Sequence, residues 1–285
     1  MRLIILLSFL YLSANLFAQL ERKVENENAV EELTFHAPRH INLFTVEPLS
    51  KGELHWSIMH TFGTIDNGFR NLWGIDNGAN IRISFEYGIS DKFSAGFGRS
   101  SLDQVYDFSA RYHLLQQTIS NSMPLSVSIT LNTAINSADY GFLGDSKPVF
   151  SDRVSHTAQL MLARKFGDKF SFQLSPMLVY FQNMQGIYLV DGTQDVYAAL
   201  GLSAKYKLTG KTSLTAQYIP NLNSSLNNNI AFGLDFEAGG HVFQMYLASG
   251  AALNEQYLLA SNNGQFWEGI RFGFNVNRIF SLGQK

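Results

Sequence analysis

His55 and Ser57 stand two residues apart in an alternating stretch, Leu54 to Phe62. In a strand that spacing puts both on one face. A base one pleat from a serine hydroxyl can activate it, as a membrane phospholipase would require. Any two polar residues on an inward face share the spacing, so both read as lumen lining and no catalytic residue is assigned. His36 and His40 have metal-ligand spacing, but Pro38 between them breaks the helix that would present both on one side. No metal site is expected there. The tetrapeptide Ile-Asp-Asn-Gly occurs at Ile65–Gly68 and again at Ile75–Gly78. Asn and Gly tolerate positive φ, which is turn chemistry. A calcium loop would need further carboxylates and a terminal Glu, both missing here.

Charge is the remaining chemical resource. Arg82, Glu86, Asp107, Arg111, His113, Lys205, Lys207, Asp235, Glu237 and Arg271 all fall by parity on the polar faces of their stretches. Arg82 and Glu86 share a face four residues apart, ~13 Å along a strand, too far to pair with each other. Each needs a partner on a neighbouring strand or across a lumen, and Arg111, His113 and Arg271 are candidates to bound the same space. Mixed signs in a narrow barrel pair and close it, or else line a selective path. The chain contains no cysteine, so neither a disulfide nor a thiolate metal site can form. No Gly-rich phosphate loop or other cofactor motif is present, and no cofactor is expected.

The elements that must position these residues are about twelve alternating stretches. Ile81, Ile83, Phe85, Tyr87 and Ile89 oppose Asn80, Arg82, Ser84 and Glu86; Phe108, Ala110, Tyr112 and Leu114 oppose Asp107, Ser109, Arg111 and His113. The connections alternate in length. Gly88–Lys92, Gly167–Lys169, Thr209–Lys211 and Ala238–Gly240 are short, whereas Thr64–Gly78, Ser137–Asp152, Asn183–Asp195, Pro220–Asn229 and Gly250–Glu268 are long. Outer-membrane barrels have tight periplasmic turns and longer outer loops. Aromatics flank the short turns (Tyr87, Phe93, Phe166, Phe170, Tyr206 and Phe236), where an interfacial girdle belongs. The expected fold is all-β, an up-and-down antiparallel transmembrane β-barrel of about twelve strands with both termini periplasmic. Gln116–Pro124 is long for a periplasmic turn, which leaves ten or fourteen strands open. Pro176 lies within one stretch, where a bulge or an interruption of the ladder is expected.

Composition agrees. Of 285 residues, 46% are hydrophobic, 13% aromatic and 15% charged, against ~25% charged in a soluble domain. No internal apolar run reaches the ~20 residues of a transmembrane helix. A formal charge of −2 gives no reason to expect a nucleic-acid partner. Arg2, the apolar Leu3–Leu12 and the stretch to Ala18 read as a signal peptide over residues 1–18. Residues 19–52 read as a periplasmic N-terminal segment. Within it Glu21–Glu32 is a charged, mobile lead. Phe35–Leu49, with Pro38 and Pro48, is ordered but mostly not strand, tucked under the barrel or into its mouth. Residues 53–285 form the barrel.

The run Asn80 to Phe93 followed by Gly96-Phe-Gly-Arg-Ser100 resembles an outer-membrane β-barrel family of unknown function. So do Arg39, Asn42, Val46, Glu47, Lys51-Gly52, Ile58–Gly63, Tyr106-Asp107 and Tyr112–Leu115. The resemblance is specific from about Thr34 to Gln117 and implies export and a barrel, with no activity or ligand to carry over. The functional expectation is a non-catalytic outer-membrane protein: a small-solute channel, or a structural subunit beside another envelope protein. Outer-membrane lipid is the expected surrounding partner. The alternative is an outer-membrane enzyme acting on lipid or peptide.

Overall fold

The computed structural model describes residues 29–182, 195–222, 228–260 and 269–282; residues 1–28, which take in the expected signal peptide and the start of the expected lead, lie outside them. Two short strands, β1 (Arg39–His40) and β2 (Leu43–Phe44), pair as a small hairpin. Twelve longer strands follow: β3 (Glu53–Thr64), β4 (Ala79–Ser90), β5 (Phe93–Ser100), β6 (Val105–Leu115), β7 (Ser126–Asn136) and β8 (Val154–Phe166), then β9 (Phe170–Phe181), β10 (Val196–Lys207), β11 (Thr212–Ile219), β12 (Asn229–Ala238), β13 (His241–Ala248) and β14 (Arg271–Ser281). Each pairs antiparallel with its sequence neighbours, and β14 returns to β3, closing a barrel of twelve strands rather than ten or fourteen.

The alternation that builds these strands also decides which way they face. Ile83, Phe85 and Tyr87 are exposed while Arg82, Ser84 and Glu86 are buried. Leu131 and Phe232, both apolar, are 56% and 54% exposed. An apolar exterior around a polar interior suits lipid and would be unstable in water. Among the described residues no helix is long and apolar enough to cross a membrane; the strands do so. Tyr87, Phe166, Phe170 and Tyr206 are exposed beside the tight turns, as a girdle requires. Pro176 stays in register with Leu200, while the pairs on its β8 side lapse between Met177 and Leu174 with no register shift. The missing donor interrupts the ladder without a bulge.

The long β6–β7 connection has a physical reason. Val30 makes an isolated bridge to Thr118, Glu31 N donates to Gln117 O at 2.7 Å, and Ile119 N donates to Ala29 O at 2.9 Å. Lys165 Nζ pairs with Glu31 at 2.8 Å. The lead is therefore pinned from Ala29 onward, which corrects the expectation of mobility there.

Residues 34–49 lie inside the barrel. Thr34, Phe35, Arg39, Ile41, Leu43 and Thr45 each expose 2% or less. Ser50–Gly52 joins this plug to β3 and is clamped at the rim: Gly52 N donates to Gly88 O at 2.8 Å and Leu282 N to Gly52 O at 2.9 Å. Ser50 O rests against Gly88, where a side chain would collide with it. From the opposite end, the chain after β13 turns inward and forms a short helix, α1 (Glu255–Ala260), every residue of which is buried.

Candidate functional site: a lumen filled from both ends

The charged positions sit mainly on β4 and β6, with β5 between them. Arg82 Nη2 lies 2.7 Å from Asp107 Oδ1 and its Nε donates to Oδ2 at 3.2 Å. Arg111 Nη2 lies 2.7 Å from Glu86 Oε1, with Nε donating at 2.9 Å. Each pair spans β5, which is possible because the inward residues there are small. A methyl group on Gly98 would collide with the Arg82 guanidinium and the Asp107 carboxylate, and one on Gly96 would meet Ser109 Oγ. The Gly-Phe-Gly sequence therefore puts Phe97 toward lipid and leaves room for two ion pairs on the other face. Arg82 and Glu86, unable to pair with each other, each take a partner from β6.

Arg39 of the plug supplies a third pair. Its Nη1 donates to Glu255 Oε1 of α1 at 2.8 Å, and both side chains are 2% or less exposed. Three cations and three anions thus share one buried region and sum to zero. Burying charge costs several kcal/mol per ion and is tolerated only with good geometry and satisfied partners. Asn132 Nδ2 donates to Asp107 at 3.1 Å and Gln256 Nε2 to Asn132 Oδ1 at 2.6 Å, joining wall and helix in one network. Between plug and charged wall remains a gap of about 10 Å³ bordered by Arg39, His55, Arg82, Glu86 and Ser109, about one water's room. Of the two arrangements open to mixed charges in a narrow barrel, these pair with each other in a packed space.

Several other polar wall residues face main chain. Gln173 Nε2 donates to Phe44 O at 2.8 Å while its Oε1 accepts from Val46 N at 3.1 Å. Gln217 donates to His40 O at 3.0 Å, Asn275 to Ile41 O at 2.8 Å and Gln244 to Arg39 O at 3.3 Å. Arg111 Nη1 reaches Thr45 O at 2.8 Å and Pro38 O at 3.3 Å. Lys205 Nζ donates to Leu33 O at 2.6 Å. A plug with so little secondary structure has carbonyls that must be paired once buried, and the barrel wall pairs them.

Above this polar zone the wall turns apolar. Leu43 packs in a cluster with Val105, Ala134, Val179, Tyr197 and Ile219 of the wall and Tyr257 and Leu258 of α1. Leu43 Cδ1 lies where a Gly201 side chain would stand. Ile41, at the hairpin turn, has φ of 53°, unusual for a β-branched residue. Packing against Ala231, Tyr246 and Ala248 holds it.

Several expected positions fall elsewhere. His113 faces inward and its Nδ1 lies 2.7 Å from Ser128 Oγ, apart from the ion pairs. Asp235 lies 3.5 Å from His36 and accepts from Gln244 at 3.4 Å. Glu237 has the inward parity but sits exposed at the periplasmic rim beyond the plug, so it lines no enclosed space. Arg271 lies at the outer end of β14, beside a register irregularity, and donates to Phe62 O at 3.2 Å; it does not join the charge cluster. His55 Nε2 lies 3.1 Å from Asn277 Oδ1, and Ser57 Oγ has no hydrogen-bond partner among the described residues. The two do not form a nucleophile and base. His36 and His40 have different partners: His36 Nδ1 lies 3.5 Å from Asp235 and His40 Nε2 lies 3.3 Å from Ala216 O. Among the described residues no group of three or more His, Asp or Glu is placed to hold a metal. Gly68 and Gly78, closing the two Asp-Asn-Gly repeats, have φ of 54° and 80°, as turns demand.

A family model described as "Membrane bound beta barrel domain (DUF5777)" matches residues 35–280. The chain belongs to this family. It is an outer-membrane protein, with a lipid-facing barrel as its body. The DUF5777 match begins at Phe35, inside the plug, and extends through β14, so the plug belongs to the matched domain and is no appendage to it. No curated protein matches the chain. Among solved structures it is similar to the NanC porin, at 10% identity over 81% of this chain and 100% of that one, TM-score 0.48. The KdgM porin is 7% identical over 81% and 99%, TM-score 0.48. An outer membrane channel from Pseudomonas putida F1 is 14% identical over 85% and 100%, TM-score 0.49.

Within this DUF5777 barrel the charged residues missed from the sequence are Arg39 and Glu255. Glu255 lay in what reads as an outer loop, Gly250–Glu268, and carries the ion pair between the two lumen occupants. Two signals for the filled lumen were present. Met177–Phe181 is apolar at every position, as a strand buried on both faces is. Asn254, whose Oδ1 accepts from Tyr257 N at 3.0 Å, is a helix cap preceding an apolar run.

Proposed function

We propose that this barrel is a non-catalytic outer-membrane channel held shut at rest by its own chain, with residues 34–49 and α1 as removable occupants. The observation that carries the reading is how the plug is held. It forms no ladder with the barrel, and side chains of the wall grip it through single hydrogen bonds to its carbonyls. Bonds between neutral groups are worth ~0.5–1.5 kcal/mol net each and those from the Arg111 guanidinium ~1.5–3 kcal/mol, so the plug can leave while the barrel ladder stays intact. With the plug gone, Arg82, Glu86, Asp107 and Arg111 line the cleared space.

The test is conductance in planar bilayers. Wild type is expected to be nearly silent, and the full-length Ile41→Asn/Leu43→Asn variant to conduct while keeping heat-modifiable mobility on gels. In that background Arg82→Gln should shift the anion-to-cation preference. If the double variant assembles and stays silent, the protein is a structural envelope subunit. The pair the enzyme alternative started from, His55 and Ser57, is not hydrogen-bonded: His55 is engaged with Asn277, and Ser57 Oγ has no partner among the described residues. Release of fatty acid or peptide product by pure protein, abolished by Ser57→Ala, would restore it.

A further inference from the structure

The lumen wall reads its occupant by main chain. Gln159, Gln173, Gln217, Gln244, Asn275 and Arg111 all donate to plug carbonyls. Bonds from the wall to plug side chains are few and long: His36 lies 3.5 Å from Ser213 and from Asp235, and His40 lies 3.3 Å from a wall carbonyl. Carbonyls are common to every polypeptide, so these donors do not depend on the plug's particular sequence. What selects is shape and greasiness. Ile41 fills a recess of Ala231, Tyr246 and Ala248, and Leu43 fills the space left by Gly201.

We infer that the vacated lumen is a binding site for a peptide supplied in trans, taken as a turned main chain carrying aliphatic side chains two residues apart, and that the plug is its built-in competitor. The ligand class follows from the chemistry of the wall. Six side-chain donors spaced to meet carbonyls, beside small-residue recesses for aliphatic groups, fit a peptide better than a sugar, which offers hydroxyls but no aliphatic side chains. The inference rests on the plug being removable, as proposed above.

The probe is a fluorescein-labelled synthetic peptide of residues 34–49, read by anisotropy against full-length protein in detergent micelles. Wild type, already occupied, should bind it about tenfold or more weakly than Ile41→Asn/Leu43→Asn does. Unlabelled peptide should compete. Adding Gln173→Ala or Gln217→Ala to the double variant should weaken binding about fivefold each. A double variant that conducts but shows no saturable peptide binding overturns the peptide site and leaves the channel reading standing. One that binds peptide yet never conducts overturns the channel reading alone. If the double variant does not assemble, Thr45→Cys in the otherwise native, cysteine-free chain gives a second readout. Excess peptide should speed thiol labelling of this buried position about tenfold, and an unchanged rate overturns the inference.

Discussion

The periplasmic part of the lumen and its outer part occupy the same parity positions of the same strands, yet have opposite chemistry. On β9 the inward series runs Ser171, Gln173, Ser175 and then Met177, Val179, Phe181 from the periplasmic turn outward. On β10 it runs Lys205, Ser203 and Gly201, then Ala199 and Tyr197. The lower wall meets a plug whose main chain must be hydrogen-bonded, so it supplies carboxamides and cations. The upper wall meets Leu43 and the apolar side of α1, so it supplies methyl groups and rings. The occupant decides the wall. An inward polar residue therefore says only that something polar faces it, which water or a buried backbone satisfies equally.

The largest expected effect would break the charged wall of β4 and β6, where polar chemistry reaches the outer part of the lumen. Arg82→Met leaves Asp107 buried without its guanidinium and should cost ~3–5 kcal/mol. Urea unfolding in micelles, read by heat-modifiable mobility, checks it. The double change Arg82→Met/Asp107→Leu should recover most of the loss, and failure to do so would mean that the pair is not the reason for Arg82. Next comes the upper half. Leu43→Ala removes the plug's anchor and should cost ~2–5 kcal/mol, felt as faster proteolysis or labelling of the plug with the barrel melt unchanged. A drop in barrel stability of the same size would show that the two halves are not separable. On the outside, Leu200→Arg should cost ~2–4 kcal/mol if that face meets lipid at mid-depth, measured by the same unfolding assay. The smallest effect sharpens the role of α1. Asn254→Ala should cost ~1 kcal/mol through its lost cap. Its readout is increased labelling of a cysteine placed at Gln256, with no change at the lower plug.

The barrel itself was legible. Period-two alternation reports the lipid face directly, because every outward residue between the girdles answers to one solvent, and Ile83, Phe85 and Phe232 face out as the pattern required. Arg82 and Glu86 were legibly unable to pair with each other. Arg111 was legible among the residues bounding the same space, but which charge meets which needed the register across β5, where Arg82 reaches Asp107 and Glu86 reaches Arg111. The placement of Phe35–Leu49 was half legible. Pro38 and Pro48 exclude a long strand, but nothing local distinguishes a segment beneath a barrel from one inside it. Gln116–Pro124 looked like a fault in the topology because its purpose, holding Ala29–Glu31, lies elsewhere in the sequence.

The three residues Ser50–Gly52 set a further limit. They span at most ~11 Å when extended and are held at the periplasmic rim on both sides by Gly88 and Leu282. A plug that lets go can only swing toward the periplasm, and it remains beside the mouth it left. Short tethers of this kind hold a binding partner at an effective concentration in the millimolar range. Any molecule that enters the lumen competes against that concentration for as long as it stays. Reclosure needs no diffusion through the periplasm, so the open state ends when its occupant departs.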